Sequence, residues 1–124
     1  MSIVHKFNAK EQNFFWLGVQ SQPLEEEGVR TVTKHVLIGE DEGAPHFIMR
    51  YFQVEPQGHT RLEMHPQEHE ALILQGKGEV QIGEETIAVE PFDAVFISGN
   101  ELHQFRNTSQ VPLGFICIIP KQLN

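Results

Sequence analysis

Seven prolines and ten glycines are spread along the chain, and no window of eleven or more residues sustains a 3.6-residue apolar period. A fold built on long amphipathic helices is thereby excluded. Between the breaks the apolar residues alternate or come in brief runs, many of them β-branched, as half-buried strands require. The pattern predicts strands at 29–38, 46–54, 71–74, 79–82, 86–89, 94–97, 103–105 and 113–119, the second stopping at Pro56-Gln57-Gly58. Ile82-Gly83-Glu84-Glu85-Thr86 reads as a tight hairpin, with Gly83 free to take positive φ. About eight short strands so spaced point to an all-β sandwich or small barrel.

The chain length of 124 residues supports one core and not two. Its 40% hydrophobic and 21% charged residues are those of a globular domain rather than a disordered one. The longest apolar run, 115–119, falls far short of the ~20 residues of a membrane span. A net charge of −8, with Lys6, Lys10, Arg30, Lys34, Arg50 and Arg61 scattered singly, argues against nucleic acid as a partner. One cysteine, Cys117, and no apolar secretory segment in residues 1–6 make the cytoplasm the expected location. Residues 1–28 read as an N-terminal arm carrying Phe14-Phe15-Trp16, residues 29–120 as the barrel and 121–124 as a tail. Such an aromatic arm would lie across the body or cover a partner subunit, and a homodimer is expected on that ground.

Chemistry concentrates in Glu63-Met64-His65-Pro66-Gln67-Glu68-His69 and in the distant His103. Glu63 and His65 are two apart, so on an extended backbone both leave one face; His69 shares that parity, and His103 needs only sheet adjacency to join them. Imidazoles with a carboxylate suit Zn, Fe, Ni or Mn. Without a metal, Glu63 would instead pair with a cation such as Arg61 or Arg106. Ser98 and Ser109 sit in no nucleophile elbow, Gly76-Lys77-Gly78 reads as a strand turn, and Cys117 reads as a core residue within an apolar strand.

The spacing of these residues resembles the two motifs of the cupin superfamily. Cupins carry Gly, five residues, His-X-His, three or four residues, Glu, six residues, Gly; here Gln57, Glu63-Met64-His65, His69 and Gly76 stand at those intervals. The second motif runs Gly, five residues, Pro-X-Gly, two residues, His, three residues, Asn; here it reads Phe92, Ser98-Gly99-Asn100, His103 and Asn107. The segments 46–52, 54–56, 100–107 and 115–120 look like those of small bacterial single-domain cupins, manganese-binding ones among them. The resemblance covers roughly residues 29–120.

It implies a double-stranded β-helix, or jelly-roll barrel, in which Glu63, His65, His69 and His103 hold one divalent metal, with Glu and His exchanged between the first and third ligand positions. Three of the departures, Gln57, Phe92 and Asn100, fall where the motifs carry glycine; asparagine tolerates a left-handed backbone and phenylalanine does not do so cheaply. Phe52, Phe96 and Phe105 are candidates for the pocket wall, and Tyr51, Glu68 and Glu70 for a base. The implied function is that of a metal-dependent enzyme, an oxygenase among the options, acting on a small oxygenated molecule. The alternative is a non-catalytic cupin that binds or senses a small molecule.

Overall fold

The structure, a computed structural model, describes residues 1–122. Leu123 and Asn124, the last half of the expected tail, lie outside the described residues. Eleven strands follow in chain order: β1 (Phe7–Lys10), β2 (Asn13–Trp16), β3 (Ser21–Pro23), β4 (Arg30–Ile38), β5 (Phe47–His59), β6 (His69–Gln75), β7 (Gly78–Ile82), β8 (Glu85–Val89), β9 (Ala94–Ile97), β10 (His103–Arg106) and β11 (Leu113–Pro120). A 3₁₀ turn, Glu40–Glu42, is the one helical segment among the described residues. The fold is all-β, as the alternating pattern predicts, and it is the jelly roll that the resemblance implies. The last eight strands coincide with the eight expected segments, and the three short strands of the N-terminal residues were not expected.

The sheet runs β8-β7-β10-β5-β11-β6-β9, with β4 on the free edge of β5 and β3 on β4. Strand β5 is longer than its sequence signals suggest. It continues through Pro56-Gln57-Gly58 because Gln57 adopts φ 66° and donates its N–H to the Asn107 carbonyl at 3.0 Å. The expected stop is therefore a kink, beyond which β5 leaves β11 and pairs with β10 at His59↔Arg106.

Alternation along β5 decides what is inside. Phe52 and Val54 turn inward, opposite Phe115 and Leu113 of β11, and join Ile73, Val80 and Phe105 in the core. The Phe115 ring stacks on Phe105 at 4.1 Å and on Phe52 at 5.6 Å. Each such buried ring or branched chain contributes about 1.5–3 kcal/mol. Tyr51 and Gln53 face the other way, where the β1–β2 hairpin covers them. Trp16 and Phe14 lie 5.0 and 5.8 Å from the Tyr51 ring, and Gln53 donates to the Asn13 side chain at 3.0 Å. His5 fastens the chain start to Glu42 at 2.9 Å. The aromatic residues of the N-terminal segment thus pack on their own barrel.

Three positions that carry glycine in the motif pattern keep the left-handed backbone without it: Gln57 at φ 66°, Phe92 at φ 73° and Asn100 at φ 62°. At Phe92 this conformation costs about 1–2 kcal/mol, and the ring, 77% exposed, recovers little by burial. We expect Phe92→Gly to stabilise the protein. Relief of strain outweighs the roughly 0.5–1 kcal/mol of added chain entropy in the unfolded state, leaving a gain of up to about 1 kcal/mol. A urea melt with a raised midpoint and unchanged slope would confirm it, and a lowered midpoint would show that the ring packs usefully.

Candidate metal centre

The fold brings the four sequence-selected residues together at one end of the barrel. Glu63 is held by a two-way backbone bridge with His103, its N–H donating to the His103 carbonyl at 3.1 Å and its carbonyl accepting from the His103 N–H at 2.9 Å. His103 opens β10 and His69 opens β6, so both imidazoles start from fixed sheet positions. His65 lies on the loop between β5 and β6, pinned by the Asn100 N–H, which donates to its carbonyl at 2.7 Å. Gly99 permits that approach, since a Cβ there would run into the Pro66 carbonyl.

The donor atoms of His65, His69 and His103 lie within 4.8 Å of one another, and the three ring centroids are 4.7, 4.8 and 4.9 Å apart in pairs. His103 Nδ1 sits 2.9 Å from the Glu101 carbonyl. A carbonyl only accepts, so Nδ1 carries the proton and Nε2 presents its lone pair. His69 Nδ1 lies 2.9 Å from Cys117 Sγ, and its Nε2 lies 2.9 Å from His65 Nε2. Burial first, then the Arg50 guanidinium and the two neighbouring imidazoles, push His69 down to about 3. At neutral pH it is the uncharged ring that coordination needs. The triad is positioned to hold a metal ion, and its donor set fits one: three convergent imidazoles, crowded together, of which His69 is held neutral.

Glu63 stands at the rim. Its Oε1 is 3.6 Å from His65 Nε2 and 4.0 Å from His103 Nε2, and the side chain is 37% exposed. Arg106 is turned away, toward Glu79 at 3.8 Å and Gln81 at 2.8 Å. Among the described residues no ion pair joins Glu63 to Arg61 or Arg106.

Next to the histidines lies a cleft of about 140 Å³. Phe52, Phe105 and Phe115 form its apolar wall, with Cys117, Lys34 and Arg50 beside them. Phe96, expected in the wall, is instead 57% exposed, because it pairs with outward-facing Glu70 and takes the outward parity of β9. Of the proposed bases, Tyr51 lies buried beneath the β1–β2 hairpin, Glu70 lines a separate groove with Phe47 and Met49, and Glu68 is exposed. Sequence reading counted Arg50 and Lys34 as scattered cations and Cys117 as plain core. The signal that would have found Arg50 was its parity with Phe52 and Val54.

Residues 50–119 match the cupin domain family. Over 116 residues, the chain is 37% identical to the 1-methylthio-D-xylulose 5-phosphate methylsulfurylase of Rhodospirillum rubrum, covering 91% of this chain and 73% of that one. Among solved structures, a cupin 2 conserved barrel domain protein from Rhodopseudomonas palustris superposes with a TM-score of 0.86 at 27% identity, covering 98% of this chain and 83% of the other. The polyketide cyclase RemF from Streptomyces resistomycificus superposes with a TM-score of 0.83 at 27% identity, covering 98% and 80%.

A His held neutral in the fold binds fewer protons than in the unfolded chain between pH about 6.5 and about 3, so its stability is present above that window and lost as pH falls through it. We expect the chelated protein to lose stability across this range. His69 adds at most roughly 1.4 kcal/mol per pH unit to that slope. Urea melts at stepped pH should show a shallower acid limb for His69→Gln than for the wild type, and equal slopes would contradict the assignment.

Proposed function

The chain belongs to the cupin domain family, and we propose that it is a metal-dependent enzyme in which Glu63, His65, His69 and His103 hold one divalent transition metal beside a small-molecule pocket. The observation that carries this reading is the convergence of three imidazoles within 4.8 Å at the mouth of a partly apolar cleft, with a carboxylate at their rim. Mn, Fe, Ni and Zn all accept such donors. A bound cation would supply Lewis acidity toward a substrate oxygen.

The protein's own groups do the rest. His103 is fixed in one tautomer by the Glu101 carbonyl, and His69 is oriented by Cys117. The phenylalanine wall excludes water from one side of the substrate. Relatives named as a methylsulfurylase and a polyketide cyclase favour bond rearrangement of a small oxygenated molecule, and neither name is that of an oxygenase.

Two expectations follow from this reading. Glu63→Ala should weaken metal binding by about tenfold or more, the loss of a ligand being at least as costly as the loss of a ligand's hydrogen-bond partner. Glu63→His should restore it as a four-His site. Titration of one metal into all three proteins at fixed pH decides the matter, and equal affinities for wild type and Glu63→Ala would remove Glu63 from the ligand set.

We also propose a homodimer, on a ground other than the arm. Phe47, Leu72 and Phe96 are 69%, 39% and 57% exposed on the outer side of the sheet, beyond the reach of the β1–β2 hairpin. Paired chains would cover this face. Light scattering should give about twice the chain mass of 14.2 kDa, and a mass of one chain would contradict the pairing.

A further inference from the structure

Lys34, Arg50 and Arg61 line the cleft of a chain whose net charge is −8, with Glu26 and Glu63 on the same lining. Lys34 and Arg50 come from the sheet itself. Lys34 of β4 stands opposite Phe52 of β5, and Arg50 lies two residues along the same inward face of β5, so the two are diagonal neighbours on one surface. The Arg50 guanidinium sits 4.9 Å over the Phe52 ring. Its Nη2 donates to Cys117 Sγ at 3.3 Å and lies 3.4 Å from His69 Nδ1. That placement puts the guanidinium between the histidine triad and Lys34.

Neither Lys34 nor Arg50 is held in an ion pair. Among the described residues no carboxylate lies within ion-pair distance of Lys34 or Arg50. Arg50 Nε is buried with no hydrogen-bond partner, an omission that costs about 1–3 kcal/mol or more for a charged donor. Burial and the Arg50 charge push the Lys34 ammonium down, and the carboxylate of Glu26 offsets this only in part. Two like charges, half out of water and with donors to spare, leave a place that a bound anion would complete.

We propose that Lys34 and Arg50 form an oxyanion subsite that takes a carboxylate or phosphate group of the substrate while another part of the same molecule faces the histidine triad. This rests on reading the pocket as the substrate site. The size of the cleft agrees. A volume of about 140 Å³ is close to the ~150 Å³ that holds a benzene-sized molecule. It accommodates a small acid, or the charged end of a longer one that leaves through the mouth. The phenylalanine wall would pack on the apolar part of such a ligand, so the charged pair sets its orientation. Arg50 is the better suited of the two to a bidentate contact, its guanidinium being a planar fork of N–H donors.

Calorimetric titration of inorganic phosphate and of malonate into the full chain tests this, with the protein chelated and again loaded with Mn(II). Wild type, Lys34→Gln and Arg50→Gln are compared, and Mn(II) affinity is measured for each. We expect at least one anion to bind the chelated wild type and to lose about tenfold or more in affinity in each variant, the worth of one charge-assisted hydrogen bond. Whichever probe binds more tightly assigns the group as phosphate or carboxylate. Lys34→Gln, a change on β4 and distant from the histidines in sequence, keeps the test valid if Arg50→Gln fails to fold.

Wild-type affinity in both folded variants overturns the proposal. So does anion binding seen only in the Mn(II)-loaded protein and indifferent to either substitution, because the anion then sits on the metal. A wild type that takes up no metal yet binds an anion through these two residues removes the metal reading and leaves the subsite standing.

Discussion

Two-residue alternation along β5 is the constraint on which the rest of the molecule depends. One parity, Arg50, Phe52 and Val54, faces the barrel interior; the other, Tyr51 and Gln53, faces the N-terminal hairpin. A slip of one residue would exchange the two sets, burying the Gln53 amide in the core and placing Phe52 under the arm. Register with β4 on one edge and β11 on the other carries the same division across the sheet, so that Lys34, Phe115 and Cys117 inherit their inward direction from it. The kink at Gln57 then passes the far end of the strand to β10, the strand that delivers His103. Core, cleft and histidine triad are therefore consequences of one pattern.

That dependence explains what was legible in the sequence. Strands with strong alternation and clear breaks, such as Ala94–Ile97 and Glu85–Val89, were found within a residue of their ends. The four chemistry-bearing residues were found because their spacing resembles a known pair of motifs and because their parity agreed. The continuation of β5 past Pro56 was missed because proline and glycine normally end a strand, whereas here the backbone hydrogen bond from Gln57 to Asn107, a tertiary contact, carries the chain through. The short strands of the N-terminal residues were missed because Ser21–Pro23 has no strand signal of its own and borrows its geometry from β4. Arg50 and Lys34 were passed over because a cation facing inward contradicts the ordinary expectation that charge faces water. Their direction becomes visible only when parity is read before polarity.

The exchange of Glu and His relative to the motif pattern has a physical rationale. His69 occupies the buried position, 8% exposed, beside the Arg50 guanidinium, where burial and that charge keep the ring neutral. Glu63 occupies the rim, 37% exposed, where an ionised carboxylate keeps part of its hydration. The opposite arrangement would bring a carboxylate against Arg50, forming an ion pair and neutralising the cation that faces the cleft. As built, the site keeps Arg50 unpaired and its charge directed at the pocket.

The central claim is that the imidazoles of His65, His69 and His103 hold a metal ion that stabilises the folded barrel. Thermal melts of one preparation, before chelation, after chelation with metal removal confirmed by elemental analysis, and after metal is restored, test it most directly. An ion present at about 100 times its dissociation constant adds roughly 2.7 kcal/mol to the folded state. The account predicts a melting temperature that falls on chelation and recovers on restoration, at one ion per chain. Three superimposable melting curves would contradict it.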